Sequence, residues 1–263
     1  MKRTDNLYYT KHVPTLLYSV ILSGCMNMAA TTPDAVPYGT QLPIIPLATP
    51  VPVRTIETFD KKTNKRVETD VLSMKSSEIR KRLTNYETFT TIQRRDLSGR
   101  LSYVGNSVKA AKGSYVITFD YVNSSTQEIV SDTLPGKALG QIGVGLRITA
   151  EITTFTNDVD IGGLMPIGIA FKDNKVSGSL RFKAFGLSND KVATLIPADV
   201  QSLDVSGIQK AFEAAATVRL LISLDETNLE PNLIGVTGVA VNDSQRALDA
   251  ARSQLATHPL QNK

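Results

Sequence analysis

From Ile142 to Ile152 two kinds of residue alternate without a break. Ile142, Val144, Leu146, Ile148, Ala150 and Ile152 fall on one side, and Gly143, Gly145, Arg147, Thr149 and Glu151 on the other. Successive side chains of a strand point to opposite faces of its sheet, so this run predicts one long strand with a buried face and a wet face. Little else constrains the fold as firmly. A strand of that kind needs partners, and the flanking sequence offers them. Tyr115, Ile117, Phe119 and Tyr121 alternate with Val116, Thr118, Asp120 and Val122. Val176, Leu180, Phe182 and Ala184 alternate with Ser177, Ser179, Arg181 and Lys183. The apolar stretch Met165 to Phe171 reads as a further strand, turning at Asp173-Asn174 into Val176 to Phe185. An antiparallel meander follows from these signals.

Helical spacing takes over between and after the strands. Ser76 to Leu83 predicts a short helix with Ile79 and Leu83 on one side. Ser206 and Gln209 match a capping box before the stripe Ile208, Ala211, Phe212, Ala215, Val218 and Ile222. Leu229 to Val241 predicts a strand. Asp243 or Ser244 is placed to cap a last helix, whose Ala247, Leu248, Ala251 and Leu255 share a face. Arg54 to Asp60 and Arg66 to Leu72 predict a hairpin about Lys61 to Lys65. The fold class expected is α+β: an antiparallel sheet meander with a few helices packed on one face. At 263 residues, 41% hydrophobic and 21% charged, the chain has material for such a core.

The N-terminal region is built differently. Lys2, Arg3 and Lys11 precede the uncharged apolar run Val13 to Leu22, which is followed by the small residues Ser23 and Gly24. This is the layout of a secretory signal peptide, and the run is too short to span a bilayer as a helix. The residues Leu22-Ser23-Gly24-Cys25 resemble the lipobox of bacterial lipoproteins. That resemblance implies cleavage before Cys25 and lipid on its sulfur and new amino group. It implies localisation as well: with Met26, not Asp, after the cysteine, the expected site is the outer membrane, facing the periplasm. Pro33, Pro37, Pro43, Pro46, Pro50 and Pro52 then disfavour helix and interior strand. The division expected is a signal peptide over 1–24, lipidated Cys25 with a proline-rich tether over 25–52, and a single periplasmic domain over 53–263. Ile44, Ile45 and Leu47 interrupt the tether's polarity and suggest that part of it packs on the domain or on a partner.

Composition limits the chemistry. The only cysteine is Cys25, and the only histidines are His12, within the leader, and His258, near the end. Intrachain disulfides, cysteine catalysis and Cys- or His-based zinc sites are thereby set aside. No nucleophile elbow accompanies His258. Gly140-Gln-Ile-Gly-Val-Gly145 has the wrong order for a dinucleotide fingerprint and enters a strand, where glycine serves bending or close packing. Asn157-Asp158-Val159-Asp160 has calcium-binding oxygens without the spacing of a calcium loop, and reads more simply as a polar turn. Net charge is +4, of which the leader's three cations and Asp5 supply +2, so charge alone gives little reason to expect nucleic acid. Arg80, Lys81, Arg82, Arg94 and Arg95 form the one notable basic group. They are candidates for contact with anionic headgroups or lipopolysaccharide phosphates, against the plainer alternative of a solvated surface.

No catalytic, cofactor or metal-binding residues are expected. The function expected is a non-enzymatic structural or assembly component of an envelope complex, bound to the membrane through Cys25. The alternatives are a lipoprotein binding a lipid or other apolar molecule between sheet and helices and, less favoured, a hydrolase using paired carboxylates.

Overall fold

The computed structural model describes residues 44–60, 62–63, 65–104, 109–130, 134, 138–239 and 241–256. The chain enters with β1 (Ile45–Pro52), the hairpin strands β2 (Thr55–Asp60) and β3 (Lys65–Asp70), and α1 (Ser76–Arg80). Next come β4 (Asn85–Arg95), β5 (Leu101–Tyr103), β6 (Lys109–Ala110) and two long strands, β7 (Gly113–Ile129) and β8 (Ala138–Thr154). After β9 (Val159–Asp160) come α2 (Leu164–Lys172), β10 (Val176–Phe185), β11 (Leu187–Ser188), α3 (Asp190–Leu195) and β12 (Gln201–Ser202). The long helix α4 (Val205–Ser223) is followed by β13 (Asn228–Leu229), β14 (Asn232–Thr237) and α5 (Ser244–Leu255).

Among the described residues, eight strands join in one curled antiparallel sheet, in the order β1-β14-β8-β7-β4-β5, with β10 also on β8 and β12 on β10. The α+β class is therefore what the chain forms. β7 and β8 pair along their whole 17-residue lengths, from Gly113 opposite Thr154 to Ile129 opposite Ala138. The other edge of β8 is shared end to end: β14 takes Leu139 to Gly143 and β10 takes Gly145 to Thr154. The sheet forks at Val144. The glycines on either side of the fork are needed by the close approach of neighbouring strands. A Cβ on Gly145 would lie 2.1 Å from the Tyr121 carbonyl oxygen, and one on Gly143 would lie 2.6 Å from that of Asn123.

One face of the sheet carries the main core. Ile117, Phe119, Ile142, Leu146 and Ile148 pack there with Ala211, Val218 and Ile222 of α4 and with Ala247, Ala251 and Leu255 of α5. The opposite face holds a smaller cluster of Val122, Phe185 and Ile234, with Phe89 against it. Both faces of β8 are thus buried from Gly140 to Ile148, and the second face opens only beyond that, with Thr149 and Glu151 half-buried and Thr153 exposed. The wet face expected beside Ile142 to Ile152 is corrected at Gly143, Gly145 and Arg147, which are buried, while Thr149 and Glu151 are half-exposed.

Other expectations change for local reasons. Met165 to Phe171 lies in helix α2, not a strand. Pro166 falls in the helix's first turn, where a missing N–H costs nothing, and Asn174, at φ 56°, ends it in the left-handed conformation. The cap of α4 is Asp204, whose carboxylate accepts the Gly207 N–H at 2.7 Å, in place of the Ser206–Gln209 box. Leu229 to Val241 is split by Pro231 into β13 and β14, and Gly238, at φ 83°, follows the last strand. Ile45–Pro52 forms β1 and pairs with β14, so residues 45–52 belong to the sheet and not to a tether. β1 is an edge strand, where proline removes no ladder bond from a second neighbour.

Candidate functional site

β1 leaves its ladder where the most heavily buried charges lie. Pro46 pairs with Gly235 and Val51 with Leu233, so Leu47 to Pro50 stand opposite Ile234 alone and bulge out of register. The carbonyls freed there are taken up from the small-cluster face. Arg147 of β8 donates from Nη1 to the Leu47 oxygen at 2.5 Å and the Ala48 oxygen at 3.2 Å. Its Nε and Nη2 donate to the two carboxylate oxygens of Asp120 at 2.7 and 2.8 Å. Asp120 and Arg147 are register partners in the β7–β8 ladder, 1% and 5% exposed. Planar guanidinium geometry suits this bidentate pairing. Burial pushes the Asp120 carboxyl above the usual carboxylate range, while the hydrogen bonds and charge of Arg147 pull it back. Burial also pushes the Tyr103 hydroxyl of β5 up to about 12, against the opposing charge of Arg147.

A second polar group lies on the same face. Glu87 of β4 accepts from the Ser124 hydroxyl at 2.6 Å and from the Gln141 amide at 3.0 Å, and that amide also donates to the Ser124 oxygen at 2.8 Å. Ser124 is fully buried, and its hydroxyl is spent on cross-strand hydrogen bonding. Asp120–Arg147 and Glu87–Ser124–Gln141 are partnered within themselves and join neighbouring strands.

The fold divides the basic residues singled out in the sequence. Arg80 serves α4: Nε and Nη2 donate to the carbonyls of Ile222 and Leu224 at 2.7 and 2.6 Å, and Nη1 meets Asp225 at 3.1 Å. A guanidinium on the last carbonyls of a helix offsets their partial charge. Lys81 is exposed and Arg82 half-buried just beyond α1. Arg94 lies at the other end of β4, over Gly113 and donating to the Lys112 carbonyl at 3.3 Å, and Arg95 faces Glu151 at 3.5 Å. Asn85 to Arg94 spans about 30 Å at strand rise, so the five residues make two separate groups and not one face. Cys25 and His258 lie outside the described residues.

The loop Asn157 to Asp160 turns its oxygens onto its own surroundings. Asn157 accepts the Lys112 N–H at 2.9 Å, Asp160 accepts the Gly162 N–H at 3.0 Å, and Asp158 sits at φ 60°. Among the described residues no three His, Cys, Asp or Glu side chains are grouped to hold a metal ion, and no helix is long and apolar enough to cross a membrane. Between sheet and helices, Ile142, Leu146, Ile148, Leu180 and Ala211 are fully buried in the layer where an apolar ligand would have to sit. An open groove of about 430 Å³ lies elsewhere, lined by Glu68, Val130, Ala250, Ser253 and Gln254. Sequence patterning missed the Asp120–Arg147–Leu47 relationship. Asp120 and Arg147 each appear as the polar member of an alternating run, and a carbonyl acceptor 100 residues away leaves no mark in the sequence.

No protein-family model, no curated protein and no solved structure matches this chain.

Proposed function

We propose that the chain is a lipid-anchored envelope protein, held by lipid on Cys25 in the outer membrane and facing the periplasm, and that its domain is a non-enzymatic structural or assembly component of an envelope complex. The observation that carries this reading is the run Leu22-Ser23-Gly24-Cys25 after a basic start and a ten-residue apolar stretch, in a chain with no second cysteine. Two acyl chains hold stably where one does not, since each buried CH₂ contributes roughly 0.8 kcal/mol. The arrangement of the domain is in keeping with such a role. Positions 26–44, 19 residues, separate Cys25 from β1 and reach at most about 60 Å when extended. The polar side chains that the sheet brings together tie strands to one another, as a scaffold requires.

Crosslinking in intact envelopes, followed by capture of the chain, tests the assembly role. A protein partner recovered in constant ratio to the chain is expected. Its absence across crosslinkers of different length would count against the proposal.

A further inference from the structure

The helices present an apolar surface that the core does not use. Gly168 of α2 and Ile208 of α4 mark the crossing of the two helices: a Cβ on Gly168 would lie 3.3 Å from Ile208 Cγ1. Met165 and Ile169 lie within a turn of Gly168, and Val205 and Phe212 within a turn of Ile208 on either side. All four are open to solvent, from 41% for Phe212 to 70% for Val205. Ala216 and Leu220 continue the line along α4 at four-residue spacing, with Leu220 60% exposed. The core-facing side of α4 is a separate stripe, Ile208, Ala211, Ala215, Val218 and Ile222, so α4 is apolar on two sides. Phe212, expected in the core stripe, belongs to the outer one.

We infer that this α2–α4 surface rests on the bilayer to which the chain is anchored, with Met165, Ile169, Val205, Phe212 and Leu220 among the headgroups and upper acyl chains. The inference rests on the anchor proposed above. Charge at the rim is consistent with it: Lys172 follows Ile169 by three residues, Arg219 adjoins Leu220 and is stacked 4.5 Å from the Tyr86 ring, and Glu213 is the one carboxylate among these positions of α4. Five such side chains offer roughly 500 Å², an extent monomers seldom expose without a use. A surface already tethered at the bilayer needs only weak affinity of its own, because the tether supplies the effective concentration. A tether reaching about 60 Å against a domain radius of gyration of about 17 Å lets this face turn to the membrane.

The chain has no tryptophan, so Phe212→Trp introduces a single reporter on a residue with room to accept it. The full chain carrying Phe212→Trp is reconstituted in phosphatidylethanolamine–phosphatidylglycerol vesicles with brominated acyl chains. Expected are a blue shift of emission and quenching by bromine, with both largely lost when Met165→Asp and Ile169→Asp are added. Circular dichroism melts confirm that each variant is folded. Emission that stays solvent-like in vesicles would overturn the inference. So would quenching that survives the two aspartates. A concentration-dependent blue shift without lipid would also overturn it, by showing that the surface pairs with a second copy. Palmitate incorporation at Cys25 is scored separately, so failure of the anchor is distinguishable from failure of this contact.

Discussion

Arg147 closes a loop of structure that Asp120 alone would leave open: one guanidinium holds the Asp120 carboxylate on the neighbouring strand and the Leu47 and Ala48 carbonyls two strands away in the other direction. The first strand of the domain is joined to the sheet's centre through this side chain. Arg147→Leu should therefore destabilise the fold by about 3–5 kcal/mol, the usual cost of stripping one partner from a buried pair. The buried Leu47 carbonyl also loses its donor. Urea unfolding measures the loss. Replacing both charges, as Asp120→Leu with Arg147→Met, should recover part of it and leave a deficit of about 1–3 kcal/mol from the orphaned Leu47 carbonyl.

The same pair sets a pH dependence with a definite sign. Asp120 titrates above its ordinary 3.8 in the folded chain because of burial, with Arg147 opposing that rise. An acid whose folded value is raised contributes stability below its unfolded value and loses it as pH climbs through the folded value. Without Arg147 only the burial remains, and the rise grows. The deficit of Arg147→Leu relative to the parent chain should therefore shrink on acidification from neutrality toward pH 4. Urea midpoints at several pH values, compared between the two chains, provide the test. A deficit that widened toward acid would contradict the assignment.

Gly145→Ala should cost about 3 kcal/mol or more. The added Cβ would meet the Tyr121 carbonyl oxygen at 2.1 Å and Val122 Cα at 2.9 Å, both backbone atoms that no rotamer change can move. Gly99→Ala is the control for crowding. Its Cβ would meet nothing within 4 Å, so only the strain of φ 83° remains. Thermal melts of the two variants separate crowding from backbone strain.

Arg80→Ala should lower stability by about 1–3 kcal/mol through the loss of donors to Ile222 and Leu224. Its effect on binding to anionic vesicles should be small, because that guanidinium is committed to the end of α4. Urea unfolding and vesicle sedimentation of the same variant check the two statements together.

Much of the fold is legible in the residues, and the gaps have physical causes. β8 and β10 announce themselves because their alternation reflects one strongly apolar face, and α4 and α5 because their stripes repeat at helical spacing. β4 does not. Its sequence Asn85-Tyr-Glu-Thr-Phe-Thr-Thr-Ile-Gln-Arg-Arg95 carries threonines and charges where an interior strand would carry aliphatics, and only Thr91 and Ile92 along it are buried. α2 was hidden for the opposite reason, since nine residues of nearly continuous apolar character suit a buried strand as well as a helix. The burial of Arg147 was hidden because it depends on residues 47–50 leaving their register. The glycines at Gly143 and Gly145 were legible as close-packing positions, and the strand carbonyls beside them supply the reason.

The central claim concerns Cys25, and metabolic labelling with palmitate together with membrane fractionation tests it most directly. The parent chain should incorporate label and sediment with the outer membrane, and Cys25→Ser should abolish incorporation. Label retained by Cys25→Ser, or none taken up by the parent chain, would contradict the account.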